Sequence, residues 1–475
     1  MLKLLKHIIF LVLLLSSADV AGQKMMQLIE RSEKAVFEIK AYNKLGNATD
    51  TASGFFISAD GMAYTKASIF YNKDSVSLKT RNGKRYTIES IISVNPFADL
   101  ALIKVKQKRQ RDFIFFQPIR EALVPAKDLL IMSHPAGKDK GISIDQIFKT
   151  GRFPFVNRYG LIFSFLGSAS FGAPVINSYG FLTGIYCTYN NKNKNIVYSA
   201  QLLNDDNWIN INSSDLTHNR DAVLLPQLSM GITDLISGNP AKAARSFTKY
   251  MKSHSSSYDV YCLRALARYG YKNAPGARED LAHAYSLNPH GFLLPYVKAL
   301  HFLSLDKGKE ALKYLSITLD RNPDYIPAKI EHARLEWKLN NRIKKAFNEF
   351  NDIIDTDSLE GQAYYERARL SMRYSSNSQG AYDDINRAIR LDPTLPGVFS
   401  LRGMIKLSSN NFLSAIEDFT KALDIDPNDV HAFFNRGIAY FNIGMKRSAC
   451  QDWQKAGELG DFSAYRYISK YCSKK

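Results

Sequence analysis

An all-β domain followed by an all-α repeat solenoid is the fold class this sequence predicts, and three observations predict it. Short strand patterns broken by turn residues fill residues 24–215. Beyond residue 222, two ladders of small residues recur every 34 or 35 positions. The chain is 475 residues long, more than one hydrophobic core organises.

The chain begins with what reads as a secretory signal, residues 1–23. Lys3 and Lys6 give a basic start, His7 to Leu15 an apolar core, and Ala18, Ala21 or Gly22 a cleavage edge. That core is short for a membrane span, so no integral span is expected in the mature chain. The expected address is periplasmic or extracellular, with an uncleaved N-terminal anchor as the other reading.

After a short helical lead-in, Met25 to Ser32, the β domain (24–215) begins. Val36, Glu38 and Lys40 alternate with Phe37, Ile39 and Ala41, as a half-buried strand requires. Gly54 to Ser58 leads through Asp60-Gly61 to Met62–Thr65. Asn82-Gly83 joins Val76–Thr80 to Lys84–Ile88 as a hairpin. Further strands are read at Leu100–Val105, Leu129–Met132, Leu161–Phe165, Phe181–Ile185 and Ile196–Ser199. Asn204 to Asn219 is polar and suits a linker.

Several motifs in this domain resemble those of trypsin-fold serine proteases of the HtrA/Deg type. Ser53 to Gly61 matches S-G-F-x-I-S-x-D-G, and Asp99-Leu100-Ala101-Leu102-Ile103-Lys104 matches D-L-A-x-x-K. Ser133-His134-Pro135-Ala136-Gly137 resembles G-x-P-x-G, and Pro174-Val175 with Gly184-Ile185 resembles the nucleophile hairpin. The resemblance implies a double β-barrel with a His–Asp–Ser triad. The base position nevertheless holds Ser68, in Thr65-Lys66-Ala67-Ser68-Ile69-Phe70, and the nucleophile position holds Phe171. Asp99 occupies the position of the orienting acid. The first and third glycines of G-N-S-G-G are Ala169 and Ala173. A triad works only as a unit, and a benzyl ring cannot attack a carbonyl. Ser168 and Ser170 are hydroxyls one or three residues off position. The expectation is an inactive homologue whose cleft serves as a peptide groove or a platform. An active serine endopeptidase is the alternative.

The α-helical array (222–473) carries Gly231, Ala265, Ala299, Ala333, Ala368, Gly403 and Gly437 on one ladder. Ala243, Ala277, Ala311, Ala346, Ala381, Ala415 and Ala449 form the other, 12 or 13 residues later. Two helices crossing closely in each unit require small residues at the contact. Pro289, Pro323, Pro393 and Pro427 stop second helices. This is similar to the tetratricopeptide (TPR) pattern, here about seven units with a capping helix at Phe462–Tyr471. The similarity implies a groove lined by first helices that binds protein or peptide partners. Its groove-facing positions include Tyr365, Arg369, Met372 and Arg373, and in the last unit Phe434, Ile438, Phe441 and Asn442. Arg369 and Arg373 favour an acidic partner segment. For the apolar positions, ordinary packing between units is the competing reading.

Four cysteines, Cys187, Cys262, Cys450 and Cys472, are too sparse for a disulfide scaffold and show no metal spacing. In an oxidising compartment Cys450 and Cys472 could bridge two C-terminal helices; the other reading is four idle thiols. No metal or cofactor is expected. The net charge of +18 comes without a compact basic tract or nucleic-acid motif, and Lys104 to Arg111 reads as a solvated loop, so no nucleic-acid partner is expected.

Overall fold

The computed structural model describes residues 23–71, 73–107, 113–117, 128–133, 142–155, 157–163, 170–191, 194–204, 207–211, 226–252, 257–374 and 378–472. The leader, residues 108–111, His134, Ser168, Ala169 and residues 212–219 of the polar stretch lie outside them. The compact units are Met1–Pro289 and His290–Lys475.

In the first unit, helix 23–33 precedes β1 (Val36–Tyr42), β2 (Ala48–Phe56), β3 (Met62–Lys66), β4 (Ser75–Thr80), β5 (Arg85–Tyr86), β6 (Ile88–Asn95) and β7 (Leu100–Val105). These seven strands and a late one, β14 (Ile209–Asn210), form a sheet in the order β14-β6-β7-β3-β2-β1-β4-β5. A second system, β8 (Asp128–Met132), β9 (Ile142–Phe153), β10 (Asn157–Phe163), β11 (Ala173–Ile176), β12 (Leu182–Asn191) and β13 (Lys194–Ser199), closes as a barrel.

Local chemistry explains several elements. Leu78 pairs with Tyr86 across the predicted hairpin, and Gly83 supplies the positive φ of its turn, +83°. Strand β1 serves two cores: Phe37, Ile39 and Ala41 enter one, and Val36 enters the other. The sequence reading passed over β9, which pairs with both β8 and β10. Its apolar residues fall irregularly among polar ones, and the strand meets a register shift at Leu161/Ile162. The expected linker is partly built into the domain. Ile209 pairs with Val94, and the Trp208 ring lies 5.4 Å from that of Tyr64.

Helical pairs follow: α1 (Pro226–Ile236) with α2 (Pro240–Met251), and α3 (Tyr258–Gly270) with α4 (Ala274–Leu287). Leu228, Ile232 and Phe247 share one apolar cluster with Ile185, Tyr198 and Leu202 of the barrel. The Tyr198 hydroxyl also hydrogen-bonds Thr233 of α1. This continuous core explains why the first unit runs through α4 rather than ending at the polar stretch.

The second unit holds α5 (Leu293–Ser304) with α6 (Gly308–Arg321), α7 (Ile326–Asn340) with α8 (Ile343–Thr356), and α9 (Gly361–Tyr374) with α10 (Ser378–Leu391). It continues with α11 (Val398–Ser408) and α12 (Phe412–Ile425), then α13 (Val430–Asn442) and α14 (Lys446–Glu458). A four-residue helix, α15 (Ala464–Tyr467), and one π-turn, Ile468–Cys472, follow. The small-residue ladder marks where second-helix rings press on first helices. A Cβ on Gly403 would stand 2.8 Å from Phe419, and one on Gly437 2.6 Å from Trp453. Among the described residues, no helix is long and apolar enough to cross a membrane.

Candidate functional site

The three positions that the sequence resemblance assigns to a triad, Ser68, Asp99 and Phe171, sit where β3, β7 and β11 begin or end. Strands β3 and β7 pair antiparallel with Lys66 opposite Leu100, so the turn after one strand meets the turn before the other. The 3-10 turn Ala67–Phe70 carries Ser68 there, held by an Ala67 N–H to Asp99 carbonyl bond of 2.9 Å. Asp99 adopts φ +56°, which short polar side chains tolerate best among non-glycine residues. Its carboxylate takes the Ser68 N–H at 2.6 Å on one oxygen and the Ser68 hydroxyl at 2.7 Å on the other. Both residues are buried.

Burial raises the Asp99 carboxyl from 3.8 to about 6, against the opposing pull of Lys66 and of the two bonds from Ser68. Cys187 on β12 lies close enough for Asp99 to add to the effect of burial in pushing its thiol up. The sequence reading did not bring Cys187 here. Its place follows from cross-strand packing, which spacing along the chain does not encode.

Phe171 is fixed by its backbone. Its carbonyl accepts from the Ser53 N–H at 2.9 Å, and the next amide, Gly172, donates to the Tyr186 carbonyl at 2.9 Å. Gly172 has φ +85°, and a Cβ there would stand 2.6 Å from the Ser53 carbonyl oxygen, so only glycine fits. Lys66 lies with its ammonium 5.6 Å from the Phe171 ring centroid and 2.9 Å from Asp50. Ser170 is buried beside it. Thus Ser68 and Asp99 meet directly, and Phe171 joins them through Lys66. The group offers two carboxyls, Asp99 with a hydroxyl bound to it and Asp50 with the Lys66 ammonium, and a phenyl ring.

In the second unit the predicted groove residues divide into two groups. Arg369 of α9 donates to Glu366 at 2.8 Å and lies on the rings of Trp337 and Tyr365, 5.5 Å from each centroid. Burial raises the Glu366 carboxyl, with Arg369 and Arg334 opposing. Tyr365 and Met372 are half-buried against the α9–α12 core. Arg373 is exposed, 5.6 Å from the Tyr374 ring. The last-pair residues are engaged by the chain's own C-terminus. Phe434 meets Tyr467 edge-on at 5.0 Å, Phe441 lies 4.5 Å from Tyr471, and Ile438 packs in the same cluster. Those apolar positions are therefore packing contacts, because the terminal turns supply the surface that a following unit would. Asn442 is exposed and donates to the Ile438 carbonyl. A disulfide joins Cys450 to Cys472, while Cys187 and Cys262 are free and buried. Among the described residues, no group of three or more His, Cys, Asp or Glu side chains could hold a metal ion.

Comparison with known proteins separates the same two parts. Residues 52–185 match the trypsin-like peptidase domain family, and residues 403–444 match a TPR repeat family. Serine protease HTRA1A of Danio rerio is 35% identical over 82 residues, spanning 16% of this chain and 17% of that protein. Among solved structures, the Rv3671c protease of M. tuberculosis aligns at 17% identity and TM-score 0.33, covering 37% of this chain and 81% of that one. A serine endoprotease from Yersinia pestis gives 18% identity, TM-score 0.33, and coverage of 38% and 64%. The Cut9–Hcn1 assembly gives 16%, TM-score 0.43, and coverage of 52% and 48%. The chain thus joins a trypsin-like peptidase domain with HtrA-type relatives to a C-terminal TPR region.

Proposed function

We propose that this protein is an exported interaction scaffold whose TPR region binds partner proteins or peptides, with a peptidase-fold domain that no longer cleaves them. The observation that carries the reading is the pair of bonds between Ser68 and Asp99, with Phe171 in the nucleophile's place. General base catalysis needs a group that takes a proton from the attacking oxygen near neutral pH. Here the orienting acid is bound to a hydroxyl, which titrates far above that range. Residues 24–215 contain one histidine, His134, and the family's motif for that position is a loop, not the base. The Cys450–Cys472 disulfide and the apolar leader support export, since disulfides persist in oxidising compartments.

A fluorophosphonate probe tests the chemical part of the proposal. The full chain is expected to remain unlabelled and to leave casein intact. Covalent modification of any serine within residues 24–215, with turnover abolished by replacing that serine, would establish an active endopeptidase and overturn the proposal.

A further inference from the structure

Three segments of the first unit enclose a cavity of about 530 Å³, and none of its lining residues belongs to the group around Asp99. Residues 113–117, which join neither strand system, form one wall. Phe113 stacks on Phe56 with centroids 4.0 Å apart, and Phe116 meets Phe55 edge-on at 6.0 Å, so both rings are buried. Ile114 and Phe115 between them are left exposed to the cavity side. The turn after β11 is the second wall. Its Asn177 side chain accepts from the Tyr179 and Phe181 amides at 3.0 and 3.1 Å, and both rings stand exposed. Helix 23–33 is the third. Its Leu28 presses on Gly180, where a Cβ would stand 2.5 Å from the leucine Cδ1 and φ is +86°. The polar side chains of this helix at the cavity are uncommitted. Ser32 is 4% exposed, lines the cavity, and makes no side-chain hydrogen bond among the described residues. Arg31 beside it is exposed and makes no ion pair among them. The two acids of the helix are directed elsewhere: Glu33 pairs with Arg81 at 2.7 Å, and Glu30 acts on Glu33 from one helical turn away. The Arg31 and Ser32 carbonyls accept from the Lys34 and Ala35 amides at 3.2 and 3.0 Å, which blunts the negative end of the helix.

We propose that this cavity binds a small organic carboxylate with an aromatic body. The carboxylate pairs with the Arg31 guanidinium and takes the Ser32 hydroxyl as a second donor, and the ring lies among Phe115, Phe181 and Leu28. The volume falls in the range of small-molecule sites, roughly 300–1,000 Å³. Such sites combine apolar walls with a few convergent polar groups, as here. Aromatic walls by themselves would suit an aromatic acid, a neutral aromatic or a cation. The guanidinium decides among them: it repels a cation and binds a planar carboxylate through two parallel hydrogen bonds. The inference stands apart from the scaffold reading, since neither the repeat region nor the loss of catalysis enters it.

The test uses the full chain and three probes of one shape: phenylpropionate, phenylpropionamide and phenylpropylamine. Titrations followed by methyl NMR are expected to move the Leu28 and Ile114 signals with phenylpropionate, with half-saturation near about 1 mM. The amide is expected to bind about tenfold more weakly and the amine more weakly still. Arg31→Gln alters an exposed side chain, so the fold is retained while the advantage of acid over amide disappears. Ser32→Ala is expected to weaken the acid a few-fold. Phe115→Ala, also at an exposed position, is expected to weaken acid and amide alike, which separates the ring's contribution from the charge's. Equal affinity for acid and amide, preference for the amine, or an acid advantage that survives Arg31→Gln overturns the proposal. So does a failure of phenylpropionate to move either signal at about 10 mM.

Discussion

Asp99 shows how burial acts on a carboxyl whose bonds come from one serine, Ser68. Its native carboxyl is raised to about 6 from the ordinary 3.8, burial being the main cause. The folded state therefore keeps a proton that the unfolded chain releases between those values. The sign follows: this group's contribution to stability falls as pH rises from about 4 to 6, and then stays constant. Two pKa units correspond to roughly 3 kcal/mol at most. Asp99→Asn keeps an acceptor for the Ser68 amide, suits the left-handed backbone, and has no charge to bury. It is expected to flatten the dependence of the melting temperature over that window and to stabilise the protein at pH 7 by about 1–3 kcal/mol. Identical pH slopes for the two proteins would show that Asp99 is solvated as well in the fold as outside it. At this scale the sequence was informative about identity and silent about environment. Ser68 and Phe171 could be placed on the triad by motif, but the nearness of Cys187 and Lys66 arises from strand pairing and packing.

At the scale of the element, one interaction repeats along the helical pairs. Arg264, Arg367, Arg402 and Arg436 on first helices grip Asp280, Asp384, Asp418 and Asp452 on their own second helices. Each also reaches the preceding second helix, at Thr248, Asn351, Asn386 and Thr420 in turn. The clamp thus joins two helices of one pair to the pair before it. In the two intervening pairs the position holds Lys298, which lies over Tyr314, and His332, which bonds Glu349 at 3.1 Å. Asp418 is buried and also takes Lys406 at 2.7 Å. Asp418→Ala would strand two cations in a partly dry seam, at an expected cost of about 2–4 kcal/mol. Urea unfolding measures this, and a loss under about 0.5 kcal/mol would mean that solvent already screens the clamp. The small-residue ladder was legible because helix crossing imposes a local, periodic size limit. Strand β9 was not, since its neighbours β8 and β10 and its register shift decide its boundaries.

At the scale of the whole molecule, repeat architectures need a finished end, because each unit buries its apolar face only against the next. Here Tyr467 and Tyr471 cover Phe434, Phe441 and Trp453, and the Cys450–Cys472 bond ties that cover to the last second helix. The sequence reading named the cover, left the cysteine pair open between a bridge and idle thiols, and left Phe434, Ile438 and Phe441 open between a partner and packing. Periodicity alone cannot separate a groove position from the contact made by the next layer. Closing a loop of that size stabilises by about 3 kcal/mol. Reduction, or Cys472→Ser, is expected to make residues 461–472 more sensitive to limited proteolysis, with the strands of the first unit unaffected. Equal cleavage rates before and after reduction would show that ring packing alone holds the cover.

That tether has a consequence for growth of the stack. With Tyr467 and Tyr471 in place, the apolar terminus of the last pair is not available for another molecule to prolong the solenoid end to end. Oxidised protein should therefore sediment as a species of fixed size over a range of concentrations, whereas reduced protein, whose first helical pair is already packed on the barrel, should pair through this one end as it is concentrated.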